Sequence, residues 1–115
     1  MSNKNYIPQK GDIVWLDFNP QAGHEQAGRR PALILSPYNY NAKIGLVLAC
    51  PITSKVKNLS FETRIPDNIN VKGVILSDQV KSFDWKKRNI EYIGRIHSNI
   101  FNEVIGKLTT LLEHL

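Results

Sequence analysis

Gly45-Leu46-Val47-Leu48-Ala49-Cys50-Pro51-Ile52 is apolar almost throughout, without the polar alternation of a half-exposed strand, and reads as a strand buried at the centre of a sheet. The stretches on either side carry strand signatures of their own. Upstream, Asp12-Ile13-Val14-Trp15-Leu16-Asp17-Phe18 is rich in β-branched and aromatic residues and is closed by Asn19-Pro20. Arg30-Pro31-Ala32-Leu33-Ile34-Leu35-Ser36 reads as the next strand; Pro31 is tolerated only at its first positions, so a loop must precede it. Pro37-Tyr38-Asn39-Tyr40-Asn41-Ala42 is too polar and turn-prone for a strand. Downstream, Thr53-Ser54-Lys55 opens a loop, and Phe61 to Ile65, Val71 to Leu76 and Ile90 to Ile96 are shorter strands, the last preceded by a basic turn, Trp85-Lys86-Lys87-Arg88-Asn89.

The period then changes. Ile100, Phe101, Val104, Ile105, Leu108, Leu111 and Leu112 recur at spacings of three and four, which makes one apolar helix face, and Ser98 or Asn99 can cap its start. Six short strands followed by one helix predict a mainly β (α+β) fold: a compact, strongly twisted barrel with a C-terminal helix packed on it. The 115 residues, 42% of them apolar, fit one domain with a single core, residues 1–115. No internal repeat, linker or low-complexity tract interrupts them.

Composition narrows the partners. Fifteen Lys and Arg against ten Asp and Glu give a net charge of +5, a balance that favours polyanions or simply aids solubility. Eight of the fifteen basic residues lie between Lys55 and Arg88, against four acids there, so part of the excess is local. The lone Cys50 has no partner for an internal disulfide and sits within the central apolar run, where a buried structural thiol fits better than a nucleophile and a reducing cytoplasm is expected. His24, His97 and His114 have no ligand-like spacing with one another or with Cys50, so no metal is expected. The polar start, Met1 to Lys10, is no signal peptide, and no apolar run approaches the roughly 18 residues of a membrane span.

The densest chemistry lies in Gly23-His24-Glu25-Gln26-Ala27-Gly28-Arg29-Arg30-Pro31, an imidazole, a carboxylate, an amide and two guanidiniums in a glycine-flanked loop. If this loop, the strand end at Thr53 and the turn Ser77-Asp78-Gln79-Val80-Lys81 open onto one face, that face holds what metal-free RNA cleavage requires. The ribose 2′-hydroxyl must lose a proton as it attacks phosphorus, the leaving 5′-oxygen must gain one, and the charge on the phosphorane needs fixed donors. His24 or Glu25 would move protons. The fork of Arg30 meets two phosphate oxygens at once, and Thr53 adds a hydroxyl. Each residue also has a plainer reading. Arg30 can pair with Glu25 or Asp78, Thr53 can be a turn residue, His24 a surface histidine, and Asp78 a turn cap or a group that orients Arg30. Trp15 can be core or can line a base-stacking site. Lys86, Lys87 and Arg88 can simply solvate a hairpin tip.

Taken in order, Gly11-Asp12-Ile13-Val14-Trp15, Asp17-Phe18-Asn19-Pro20, the loop from Gly23 to Pro31, Leu35-Ser36-Pro37, Tyr40-Asn41, Pro51-Ile52-Thr53-Ser54 and Asp78-Gln79-Val80-Lys81 resemble the MazF/PemK (Kid) toxins of bacterial type II toxin–antitoxin systems, from about Lys10 to the terminal helix. The resemblance implies an SH3-like, CcdB/PemK-like barrel and a sequence-selective endoribonuclease that cuts single-stranded messenger RNA in the cytoplasm. It implies that translation and growth stop, and that the products carry a 2′,3′-cyclic phosphate and a 5′-hydroxyl. It also implies a homodimer that needs no cofactor, and a MazE-like antitoxin whose acidic, disordered tail occupies the RNA groove. Carried over residue by residue, Arg30 and Thr53 become the catalytic pair, with His24 and Glu25 as proton carriers. Gln26, Arg29, Asp78, Gln79, Lys81, Asn41 and Trp15 become the RNA contacts. The Kid branch carries an arginine two residues before the aspartate, where this chain has Leu76, so a His, Arg, Asp scheme does not transfer whole. Two rival classes are a CcdB-like toxin that binds gyrase and a noncatalytic SH3-like module. The first relies on a tryptophan near its C-terminus, where this chain ends Leu112-Glu113-His114-Leu115; the second would not require Arg30 and Thr53 together.

Overall fold

Alternating side chains along a strand face opposite sides of a sheet, and that rule divides the apolar residues into two groups. The computed structural model describes residues 5–19 and 27–113. Its elements are β1 (Asp12–Asp17), β2 (Arg29–Ile34), α1 (Tyr38–Ile44), β3 (Leu46–Thr53), β4 (Glu62–Arg64), β5 (Val74–Leu76), β6 (Lys81–Asp84), β7 (Glu91–Arg95) and α2 (Ser98–Glu113). Ile13, Leu33, Cys50, Ile52 and Ile75 lie in one buried cluster, which α2 covers with Phe101 and Val104, while Ile100, Ile105 and Leu108 pack at its margin. Val14, Leu16, Ala32, Ile34, Val47 and Ala49 lie in the other, closed by Phe83, Trp85 and Ile90. A fully buried side chain of this size contributes roughly 1.5–3 kcal/mol, so the helix is held by its apolar stripe.

All strand pairings are antiparallel, in the order β4-β5-β3-β2-β1-β7, with β6 also on β3. The path ends on β4 and β7 without a ladder between them among the described residues, so the sheet is not closed into the barrel that the sequence suggested. β3 is central, as its composition indicates. One edge pairs with β2; the other is divided between β6, along Leu46 to Ala49, and β5, at Ile52 and Thr53. Pro51, which has no N–H to give a ladder, falls in the gap between those two partners.

Two elements differ from the sequence reading. Residues 38–44, read as turn-like, form a helix whose C-cap, Gly45, takes a left-handed φ of 82° and donates its N–H to the Asn41 carbonyl. Lys81–Asp84 is β6, where the sequence reading ends a turn at Lys81 and assigns nothing to residues 82–84; its single buried apolar residue, Phe83, gives no visible alternation. The start of α2 is met by side chains: the Asn99 amide donates to His97 Nδ1 at 3.3 Å, and the Ile100 amide to Asn99 Oδ1 at 2.9 Å.

Candidate active site

β2 and β3 pair with Ala32 opposite Pro51 and Leu33 opposite Cys50. Carried two residues further, the same register sets Arg30 against Thr53, on the face shared by Ala32 and Pro51. Both residues line one cavity of about 310 Å³. The loop after β3 contributes Lys55, Lys57 and Leu59 to its wall, the start of β4 contributes Phe61 and Glu62, and the end of β5 with its turn contributes Leu76, Asp78 and Gln79. On the opposite edge of β3, Thr53 pairs with Val74, and Gly73 beside it has φ +128°. A Cβ on Gly73 would stand 2.1 Å from the Thr53 carbonyl oxygen, so glycine is what lets the two backbones meet there.

Arg30 is oriented without being neutralised. Its Nε donates to the Ala27 carbonyl at 2.6 Å, while Nη1 and Nη2 have no protein acceptor among the described residues. Thr53 is buried, and its Oγ1 accepts the Lys55 amide at 3.2 Å, which leaves the hydroxyl hydrogen to donate elsewhere. Buried Glu62 accepts the Lys57 amide at 3.2 Å on each oxygen and the Asn58 amide at 3.0 Å, fixing a turn in which Asn58 has a left-handed φ of 59°. Lys107, from α2, donates to the Glu62 carbonyl at 2.5 Å and to the Thr63 hydroxyl at 3.1 Å. The helix thus holds β4, and Glu62 holds the loop that brings Lys55 and Lys57 to the cavity.

Burial pushes the Asp78 carboxyl above the usual carboxylate range; its own backbone N–H opposes the shift and the charge of Glu62 adds to it. Burial also pushes the Cys50 thiol up to about 12, with Asp78 adding to the rise, so Cys50 is the inert core thiol its sequence context implies. A guanidinium fork, a threonine hydroxyl and two lysines converging on one cavity can grip an anion and stabilise charge that develops on it.

Of the residues singled out in the sequence, Arg30, Thr53, Asp78 and Gln79 come together here. His24, Glu25 and Gln26 lie outside the described residues. Half-buried Trp15 lines a second cavity of about 380 Å³, which shares Arg30 with the first. Arg29 also lines the second cavity, but its guanidinium is already bound: Nη1 donates to the Asn89 carbonyl at 2.6 Å and meets Asp17 at 3.3 Å, and Nη2 meets Glu91 at 3.4 Å. Lys81 opens β6 opposite Ala49, with its ammonium 5.8 Å from the Phe83 ring centroid, and does not line the first cavity.

Asn41 requires correction: it is not an RNA contact. It is fully buried, its Oδ1 accepts Ser36 Oγ at 2.5 Å, and its Nδ2 donates to the carbonyls of Pro8 at 2.8 Å and Ser36 at 3.0 Å, so its amide anchors α1. The sequence reading missed Lys55, Lys57 and Glu62 as site residues. The local basic excess from Lys55 onward signalled the lysines; a lone glutamate opening a short strand signalled nothing. Among the described residues, no group of three or more His, Cys, Asp or Glu side chains is placed to hold a metal, and no helix is long and apolar enough to cross a membrane.

The family described as "PemK-like, MazF-like toxin of type II toxin-antitoxin system" matches residues 9–112. The endoribonuclease toxin MazF of Escherichia coli K12 is 39% identical over 107 residues, which cover 93% of this chain and 96% of the relative. The endoribonuclease PemK of Escherichia coli is 34% identical over 109 residues, 90% of this chain and 81% of the relative. Among solved structures, MazF from Deinococcus radiodurans superposes with a TM-score of 0.92 at 49% identity, covering 94% of this chain and 98% of that one. A MazE–MazF structure from the same organism gives 0.84 at 42%, covering 95% and 98%.

Proposed function

The chain belongs to the PemK-like, MazF-like toxins of type II toxin–antitoxin systems, and from that membership we propose that it is a sequence-selective endoribonuclease toxin that cuts single-stranded messenger RNA in the cytoplasm and so arrests translation and growth. The observation that carries this reading is the Arg30 fork, steered by Ala27 and otherwise unpartnered among the described residues, in the same cavity as the Thr53 hydroxyl.

In the reaction so assigned, a ribose 2′-hydroxyl attacks the adjacent phosphorus, its proton passes to a base, and the 5′-oxygen leaves with a proton from an acid. The products are a 2′,3′-cyclic phosphate and a 5′-hydroxyl. Arg30 holds two non-bridging oxygens and Thr53 donates to the developing charge. A preorganised donor of this kind is worth about 2.7–4 kcal/mol in the transition state. His24 and Glu25 are assigned the proton transfers, with Asp78, a carboxyl that lines the cavity, as a further candidate. Lys55 and Lys57 draw the backbone in, and Gln79 faces the bases.

The chemistry assigned here is complete without a metal, since the two cationic or hydroxylic donors and the proton carriers cover every charge that moves. The same cation-lined cavity suits the acidic tail of a MazE-like antitoxin, and solved relatives are described as MazE–MazF structures. We assign the chain to homodimers and its seven-stranded sheet, with one apolar cluster under α2 and the other closed by Phe83 and Trp85, to the SH3-like barrel class.

The test is to incubate the purified protein with a long RNA and sequence the 5′ ends of the fragments. Cuts at one short sequence, 5′-hydroxyl ends, and full activity with a chelator present are expected. Intact RNA overturns the nuclease assignment; loss of activity on chelation, rescued by a divalent ion, overturns the metal-free scheme.

A further inference from the structure

Arg30 lines two cavities, the one that holds Thr53 and the 380 Å³ space beyond it, whose walls include Trp15, Pro31, Asn70, Val71 and Lys72. The volume of the second lies within the range of small-ligand sites, about 300–1,000 Å³. We propose that this second cavity is a nucleobase subsite, which takes the base of a nucleotide flanking the scissile phosphate and stacks it against Trp15. The proposal rests on the nuclease reading above and extends it to a residue that contributes to binding rather than to the chemical step.

Several observations select a base over other occupants. The two tryptophans differ sharply: Trp85 is buried and donates its indole N–H to the Asn41 carbonyl at 3.0 Å, whereas the indole N–H of half-buried Trp15 has no hydrogen-bond partner among the described residues. An aromatic ring left partly open beside a cavity offers a π-face to any base, and Pro31 and Val71 supply apolar contact around it. Exposed Asn70 offers an amide that both donates and accepts, which suits the hydrogen-bonding edge of an unpaired base.

The charges follow a polyanion. Lys72 also lines this cavity, and a third cavity of about 650 Å³ shares Ser54, Val71 and Lys72 with it and reaches Arg64. Arg30 and Lys72 both border the second cavity and Arg64 lies beyond it, so cations for the phosphates flank the aromatic wall.

The experiment uses the full chain and the RNA whose cut site the fragment sequencing defines. Nucleotides flanking the cut are replaced one at a time by abasic residues, and kcat and KM are measured for the wild type and for Trp15→Ala, Trp15→Phe and Asn70→Ala, each checked by circular dichroism. In the wild type, one abasic position near the cut should raise KM by about 5- to 150-fold, the usual range for one base on an aromatic ring. In Trp15→Ala that position should carry no further penalty, Trp15→Phe should restore most of it, and kcat should change little. Equal abasic penalties in the wild type and Trp15→Ala overturn the subsite while leaving the nuclease assignment intact. Should Trp15→Ala fail to fold, Asn70→Ala decides: the same abasic penalty with and without Asn70, and no change in base preference, rejects the proposal. Weaker binding of an acidic antitoxin peptide by Trp15→Ala, with abasic penalties unaltered, assigns the cavity to the peptide and likewise overturns it.

Discussion

Along the β1–β2–β7 edge, Arg29 reaches Asp17 and Glu91, and Arg95 reaches Asp12 at 2.9 Å. One residue further along β2, Arg30 reaches the cavity beside Thr53 and meets no carboxylate within ion-pair distance among the described residues. Successive side chains on a strand point to opposite faces, so the two guanidiniums serve two regions although both residues border the second cavity. The first region neutralises its charge and thereby joins three strands. The second keeps its charge available, at some expense in stability, for an anion that arrives later. Where a fold leaves a guanidinium fork without a carboxylate partner at the wall of a cavity, the missing partner is the ligand.

The sharpest way to break that comparison is to remove each arginine in turn. Arg30→Ala should slow RNA cleavage about 100- to 1,000-fold, equivalent to about 2.7–4 kcal/mol, with an unchanged melting temperature. Thr53→Val, which keeps the shape and deletes the hydroxyl, should fall in the same range. Arg29→Ala should instead lower stability by about 1 kcal/mol, the sum of two partly exposed ion pairs, and leave cleavage within a few-fold of the wild type. Single-turnover cleavage and thermal melts on all three variants check this. Equal rate losses for Arg29→Ala and Arg30→Ala would end the division between the two regions.

A second pair of variants asks how firmly the cavity is held. Gly73→Ala forces a Cβ against the Thr53 carbonyl from a backbone with φ +128°, so it should cost about 1–3 kcal/mol of stability and also slow cleavage, because the threonine must move. Gly45→Ala meets nothing within 4 Å and carries only the left-handed strain of φ +82°, about 1–2 kcal/mol. Urea denaturation should rank them similarly, but only Gly73→Ala should lose activity. Full activity in Gly73→Ala would separate the β5 start from the function of Thr53.

The same division explains what the sequence makes visible. β1, β2, β3 and α2 are legible because each buries a stripe or a run that only one period fits. So is the convergence of Arg30, Thr53, Asp78 and Gln79, since each sits at the end of such a run. α1 is not legible: Tyr38–Ile44 lacks a cap hydrogen bond at Pro37 and buries only Asn41, so its helix depends on contacts from Pro8, Ser36 and Trp85 that no local pattern encodes. The role of Asn41 is hidden for that reason: it is a polar residue in a family motif whose task here is internal. Glu62 is hidden likewise, because its role is to hold the amides of Lys57 and Asn58, and β6 is hidden because one phenylalanine in four residues makes no period.

The smallest expected effect distinguishes the regions by sign. In the cavity, burial raises the carboxyl of Asp78 above its ordinary value of 3.8, and the Glu62 charge adds to the rise. From 3.8 up to that raised value the folded protein keeps a proton that the unfolded chain has already released, so stability falls as pH rises through the window and stays lower above it. Asp78→Asn removes the ionisation, and its melting temperature should exceed the wild type's at neutral pH, the difference vanishing as pH is lowered past the ordinary carboxylate value. Asp17, which faces Arg29 at 3.3 Å, should respond in the opposite direction, with Asp17→Asn losing a few tenths of a kcal/mol at neutral pH as the ion pair is lost. Thermal melts of both variants across pH 3 to 8 read the two signs directly. If Asp78→Asn also destabilises at neutral pH, the carboxylate has found a cation, and the cavity around Arg30 is as fully paired as the strand edge beside it.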